Sequence, residues 1–126
     1  MIMVCSASPR DSRELGRAGE ELAADHLRSR GYEILARNWH CRDGELDLVV
    51  ASTELLVVVE VKTRSGRGYG SPAAAVTGRK AARIRGLALR WRRQQRLRWC
   101  PLRFDVIAVD WPPDGPARVQ HFEGAF

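Results

Sequence analysis

Cysteine is scarce in this chain: 3 in 126 residues, at positions 5, 41 and 100, with no C-x-x-C pair. An odd, scattered set of that kind excludes a disulfide framework and a cysteine zinc site. His40 beside Cys41 is a weak ligand pair, because adjacent strand residues face opposite sides of a sheet. No apolar run approaches the ~20 residues of a membrane span. The opening MIMVCSASPRDSR is too short in apolar residues for a secretory signal, so a cytoplasmic location and no membrane association are expected. No serine or cysteine is set near a histidine, which leaves acyl transfer without a nucleophile. The glycine-rich SGRGYGSP (65–72) lacks dinucleotide or Walker spacing and reads as a mobile connector.

The most informative absence is of acid. Between Val61 and Phe104 there is no Asp or Glu, while thirteen of the 21 Lys and Arg fall there and all 15 acids lie elsewhere. The net charge is +6. A polyanion is the natural partner for such a stretch, because phosphate contacts by Lys and Arg release condensed counterions. A solvated helix face or an anionic membrane surface are the plainer readings. Nucleic acid, DNA ahead of RNA, is the expected partner.

What is present fits one domain with one core. Residues 1–12 lack periodicity and read as a flexible tail, leaving 13–126 as the domain. Asp11 with Glu14 signals a helix start and Gly31 a stop, with Leu15, Ala18, Leu22, His26 and Leu27 on one stripe. YEILARNW, ELDLVVA and the run from Leu55 to Lys62 alternate as three strands joined by short turns, an antiparallel meander. Thr77 opens a second helix, about residues 78–98, with Ile84, Leu87, Ala88 and Trp91 on its apolar face. LRFDVIAVD (102–110) and ARVQHF (117–122) are further strands. The fold class is α/β, in the order α-β-β-β-α-β-β, with a mixed sheet flanked by helices.

Charges inside the apolar runs carry the chemistry. Glu60 and Lys62 close the third strand on one face, with Cα atoms ~6.6 Å apart. Asp47 sits in the neighbouring strand, expected opposite Leu46 and Leu48, where it meets them if the register allows. Two close carboxylates repel unless a cation neutralises them, and Mg²⁺ or Mn²⁺ suits such oxygen ligands. Such an ion turns water into a nucleophile, and a lysine can orient that water or offset developing charge. An exposed Glu60–Lys62 pair of little consequence is the competing reading. On the first helix, Glu20 is the acid aimed at the edge of the packed face, beside Gly16, Gly19 and Ala23, whose small size invites close approach to the sheet. A boundary glutamate reaching solvent is its alternative. Lys80, in the first turn of the second helix, lies on the apolar stripe, placed either to reach the site or to snorkel to water. Glu45 shares the face of Asp47, Asp105 reads as a hydrogen-bonding anchor, His26 as a core histidine, and His121 has no evident partner.

The spacing Asp-x₁₂-Glu-x-Lys is that of the PD-(D/E)XK nuclease superfamily. More specifically, GRAGEELAADHLRSRGYEILARNW, GELDLVV, VVVEVKTR, GSPAAAVTGRK, RFDVIAV and a terminal AF resemble the YraN-type family of small uncharacterised bacterial proteins. The resemblance covers roughly residues 16–126. It implies a restriction-endonuclease-like α-β-β-β-α-β core similar to that of Holliday-junction resolvases. By the same likeness Glu20, Asp47 and Glu60 would be metal ligands and Lys62 the catalytic lysine, with Arg64 and Lys80 supporting. Arg83, Arg90 and Arg93 join these two as the expected nucleic-acid contacts. Two functions from different classes follow: a metal-dependent endonuclease acting on structured or branched DNA, and a non-catalytic nucleic-acid-binding module of the same fold. A scaffold contacting an anionic membrane or acidic partner is a more distant third. A resolvase needs two active sites, which implies a homodimer.

Overall fold

Valine-rich runs at 48–50 and 57–59 form the middle of a sheet buried on both faces, where β-branched side chains pack well on the pleated surface. The structure is a computed structural model that describes residues 2–4, 11–66 and 76–126. Its elements are β1 (Ile2–Val4), α1 (Ser12–Ser29), β2 (Glu33–Cys41), β3 (Gly44–Ser52), β4 (Leu55–Arg64), α2 (Gly78–Gln94), β5 (Leu102–Asp110) and β6 (Ala117–Phe122). The sheet order is β1-β6-β5-β4-β3-β2. Strands β2, β3 and β4 form the expected meander, β4 and β5 run parallel with α2 between them in the chain, and β6 returns antiparallel.

The helices cover opposite faces. Leu15, Ala23, Ala24 and Leu27 of α1 join Leu48, Val57 and Ile107 in one core layer. Ala81, Ile84, Leu87 and Trp91 of α2 join Leu46, Val58 and Val106 in the other. Asp11 caps α1, accepting from the Arg13 N–H at 2.7 Å. Gly31, at φ 91°, ends the helix in the left-handed conformation that glycine adopts without strain. Thr77 occupies the start of α2 without a side-chain cap bond.

Two expectations change. Ile2–Val4 is not a tail but an edge strand paired with Ala117–Val119; three residues are too few to show periodicity, and the exposed edge of β6 supplies their pairing. Residues 5–10 of that expected tail, and 67–72 of the glycine-rich stretch, lie outside the described residues. The second helix stops at Gln94 rather than near 98, because Arg96 takes a left-handed φ of 53°. Its apolar periodicity also ends at Trp91, and Leu97 and Trp99 are exposed.

The β5–β6 side holds a buried polar network. Asp105, fully buried, accepts two bonds from Arg103 (2.9 and 2.8 Å) and one from the Gly124 N–H, and lies 2.8 Å from His121 Nε2. His121 Nδ1 in turn meets His26 Nε2 at 3.2 Å. Asp105 therefore anchors the C-terminal turn, as its place in the strand suggests. His121, without an evident partner in the sequence, has two.

Candidate active site

The ladder between β3 and β4 stops at Leu48↔Val59. Beyond it the Val61 N–H is taken by Asp47 Oδ2 at 2.9 Å, a side chain standing in for a ladder carbonyl. The strands part here because β3 turns over: Leu46 packs in the α2 layer, whereas Leu48 packs in the α1 layer. Strict alternation predicts Asp47 opposite both leucines, but that holds only for a regular strand. The irregularity extends to β2, where Asn38, between the pairs Arg37↔Leu48 and Trp39↔Leu46, has φ 49°. Asparagine is among the residues that tolerate that region.

Glu60 and Lys62 continue the face of Leu56 and Val58, toward α2. Lys80 Nζ, from the first turn of α2, lies 3.0 Å from Glu60 Oε1, and Lys62 Nζ lies 3.8 Å from the same oxygen. Lys80 thus reaches the site. The Glu60 side chain is only 13% exposed, so the pair with Lys80 is shielded more than a surface ion pair. Asp47, Glu60, Lys80 and Arg83 line a cleft of about 210 Å³, with Ile84 and Leu87 as its apolar wall.

Electrostatics set these groups apart. Burial pushes the Asp47 carboxyl up to about 7, with the Glu60 and Glu20 charges adding to the effect and the Val61 N–H only partly opposing it. Lys62 is held below the usual lysine range by its hydrogen bond with Lys80, then by burial and the Lys80 charge. Lys80 moves upward: burial opposes the rise, but bonds to Lys62 and Glu60 outweigh it. Of the two amines, Lys62 is the readier to give up a proton.

Glu20 approaches from the α1 layer. A Cβ at Gly19 would run into the Thr63 side chain, so glycine is what lets α1 come this close to β4. That approach brings Glu20 within electrostatic reach of Asp47. Gly16 meets nothing within 4 Å, so the small face matters at Gly19 and not at Gly16. Gly19→Ala is expected to lower stability by about 1–3 kcal/mol through overpacking. The check is a lower urea midpoint with an unchanged m-value.

The donor set suits a hard cation. Among the described residues no three His, Cys, Asp or Glu side chains form a ready metal cage. Two carboxylates facing a cleft are instead the arrangement that binds Mg²⁺ through one or two protein ligands, with waters and substrate oxygens completing the shell. A dication there would relieve the repulsion that raises Asp47.

The remaining expected residues are spread out. Arg64 ends β4, its carbonyl accepting from the Trp111 N–H at 2.7 Å. Arg90 pairs with Asp43 at 2.7 Å and donates to Cys41 Sγ, turning toward the β2–β3 hairpin. Arg93 is exposed further along α2. Glu45 lines the cleft and lies 2.9 Å from His40 Nε2.

Fold and site together define an α/β protein with one mixed sheet between two helices, whose central strands part to seat two carboxylates and two lysines. The chain belongs to the uncharacterised protein family UPF0102, the YraN-type family of the motif resemblance, which matches residues 19–109. It is 60% identical to a UPF0102 protein of Frankia casuarinae over 112 residues, 89% of this chain and 95% of the relative. A UPF0102 protein of Clavibacter michiganensis is 51% identical over 108 residues, covering 86% and 92% of the two chains. One from Nocardia farcinica is 49% identical over 116 residues, 92% and 91% of the two chains.

Proposed function

We propose that this protein binds nucleic acid and hydrolyses phosphodiester bonds in structured or branched DNA, with Mg²⁺ or Mn²⁺ as cofactor. The observation that carries this reading is the meeting of Asp47, Glu60, Lys62 and Lys80 at one parting of strands, beside the acid-free segment. Asp47 and Glu60 would hold the cation, with Glu20 as an outer carboxylate. Bound there, it would polarise the phosphodiester and make water a nucleophile near neutral pH. Lys62 orients the attacking water and offsets the charge that develops on the phosphate. Lys80 and Arg83 face the cleft as phosphate contacts. Paired cuts in a junction need two such clefts, so a homodimer is the expected cutting form.

The 3.0 Å contact of Lys80 with Glu60 favours a second reading. An ammonium already neutralises the carboxylate that would bind metal, as expected of a non-catalytic binding module with the nuclease fold. Cleavage of a labelled four-way junction, with duplex and single-strand controls, in Mn²⁺ and in EDTA, separates the two. Metal-dependent cutting that falls roughly 10²-fold or more in Glu60→Ala supports catalysis. Salt-sensitive binding with no cutting in either buffer selects the binding module.

A further inference from the structure

At the far end of α2 from the cleft, an indole stands in solvent on an anchored backbone. Trp99 is 73% exposed. The chain just past it is tied down: Arg92 donates to the Cys100 carbonyl at 2.9 Å, and the Leu56 N–H donates to the Pro101 carbonyl at 3.0 Å. Trp99 borders two hollows. One, a groove of about 590 Å³, includes Leu35, Leu55, Leu97 and Arg98 in its wall; the other gathers Leu89, Arg93 and Arg96. Arg93, Arg96 and Arg98 are exposed and are in no ion pair among the described residues.

The space between cleft and patch is also patterned. Arg79, Arg83, Arg90 and Arg93 are exposed, and with Gly86 they follow a 4-3-4-3 spacing, which is one row along a helix. The row passes the cleft at Arg83 and ends beside Trp99. From Lys80 to Arg93 the helix rises ~20 Å.

We infer that the Trp99 patch is a stacking platform for an unpaired nucleic-acid strand that leaves the cleft along the arginine row of α2. Every base has a π-face, so an indole framed by guanidinium groups takes a single strand without needing its sequence. A second copy of the chain is a poor occupant, since a two-fold axis through the patch would set Arg93, Arg96 and Arg98 near their own equivalents. An anionic membrane would meet the same charge, but it gives no role to a row of arginines leading to a cleft. The inference rests on the nucleic-acid part of the proposed function and narrows its substrates to those with a single-stranded arm or flap.

The test is fluorescence anisotropy in EDTA with labelled oligothymidylate, a blunt duplex, and vesicles of phosphatidylserine and phosphatidylcholine. Wild type, Trp99→Ala and Trp99→Phe are compared. Trp99→Ala is expected to weaken oligothymidylate binding roughly tenfold or more, the share of one base–aromatic stack. Trp99→Phe stays within a few-fold, and duplex binding changes little in either. Oligothymidylate should quench the tryptophan emission of wild type much more than that of Trp99→Phe, since Trp91 and Trp111 are buried and Trp39 is partly buried against the α2 core layer. This second readout decides the matter should the alanine variant fold poorly. Equal oligothymidylate affinity in wild type and Trp99→Ala overturns the inference, as does vesicle binding without oligothymidylate binding. Because EDTA prevents metal-dependent cutting, a stacking site found here stands even if Glu60→Ala reveals no nuclease. Undiminished cutting by Trp99→Ala of a junction carrying a single-stranded arm removes this inference alone.

Discussion

Asp47→Asn is expected to lower cleavage roughly 10²-fold or more while making the metal-free protein more stable at pH 8. Both effects have one cause. Burial and the Glu60 charge push this carboxyl from 3.8 up to about 7. Between those values the native state holds a proton that the unfolded chain has released, so stability falls as pH rises through the window. The gap corresponds to ~4 kcal/mol at most, and relaxation with water entry brings the expected penalty above pH 7 to about 2–3 kcal/mol. Asparagine keeps an oxygen for the Val61 N–H and carries no charge, so it removes the penalty and leaves the 2.9 Å bond. Urea unfolding in EDTA at pH 5 and pH 8 provides the check. The difference between wild type and Asp47→Asn should favour the variant at pH 8 and be less than half as large at pH 5. A variant less stable at pH 8 would mean that the lysines already neutralise Asp47, and the case for a cation there would weaken.

Much of this site is legible in the chain because its parts lie within single elements. Period 2 puts Glu60 and Lys62 on one face, and period 3.6 puts Lys80 on the packed side of α2; both follow from local geometry alone. The strands 102–110 and 117–122 have the bounds their alternation predicts, since each is a continuous apolar or alternating run between turn residues. The facing of Asp47 is different. It depends on β3 turning over where its ladder with β4 ends, an event of two strands and two core layers that no alternation within one strand encodes. Glu20 is intermediate, because its helix position follows from periodicity while its reach toward Asp47 depends on Gly19 against Thr63. The contact of His26 with His121 spans 95 residues and is invisible to any local pattern. Trp99 lies between the last helical stripe position and the next strand, so no periodicity places it, and only the fold shows it bare.

Asp105→Ala is expected to lower stability by about 3–5 kcal/mol, the range for breaking a buried charge pair by removing one partner. For a domain whose total is about 5–15 kcal/mol, that is enough to cut the soluble yield. The alanine leaves Arg103, with a side chain 25% exposed, and His121 without their shared acceptor, and frees the Gly124 N–H. Burial alone would raise the Asp105 carboxyl, but the bonds from His121, Arg103 and Gly124 outweigh it and hold it below the usual carboxylate range. Its contribution is therefore present above the unfolded value of 3.8 and is lost as pH falls through the folded value. His26 acts earlier on the same path: burial first, then the nearby His121, hold it below 6.5. The unfolded chain takes up that proton more readily, so stability declines as pH drops from 6.5 toward the folded value. Because Asp47 works in the opposite direction between 3.8 and about 7, the titration is done in Asp47→Asn, which should show these two stages, and adding Asp105→Asn should retain the first while losing the second. Cleavage separates anchor from ligand. If Asp105 only ties the C-terminal turn to β5, folded Asp105→Asn cuts at the wild-type rate in Mn²⁺. A stable Asp105→Asn that no longer cuts would instead draw Asp105 into the site.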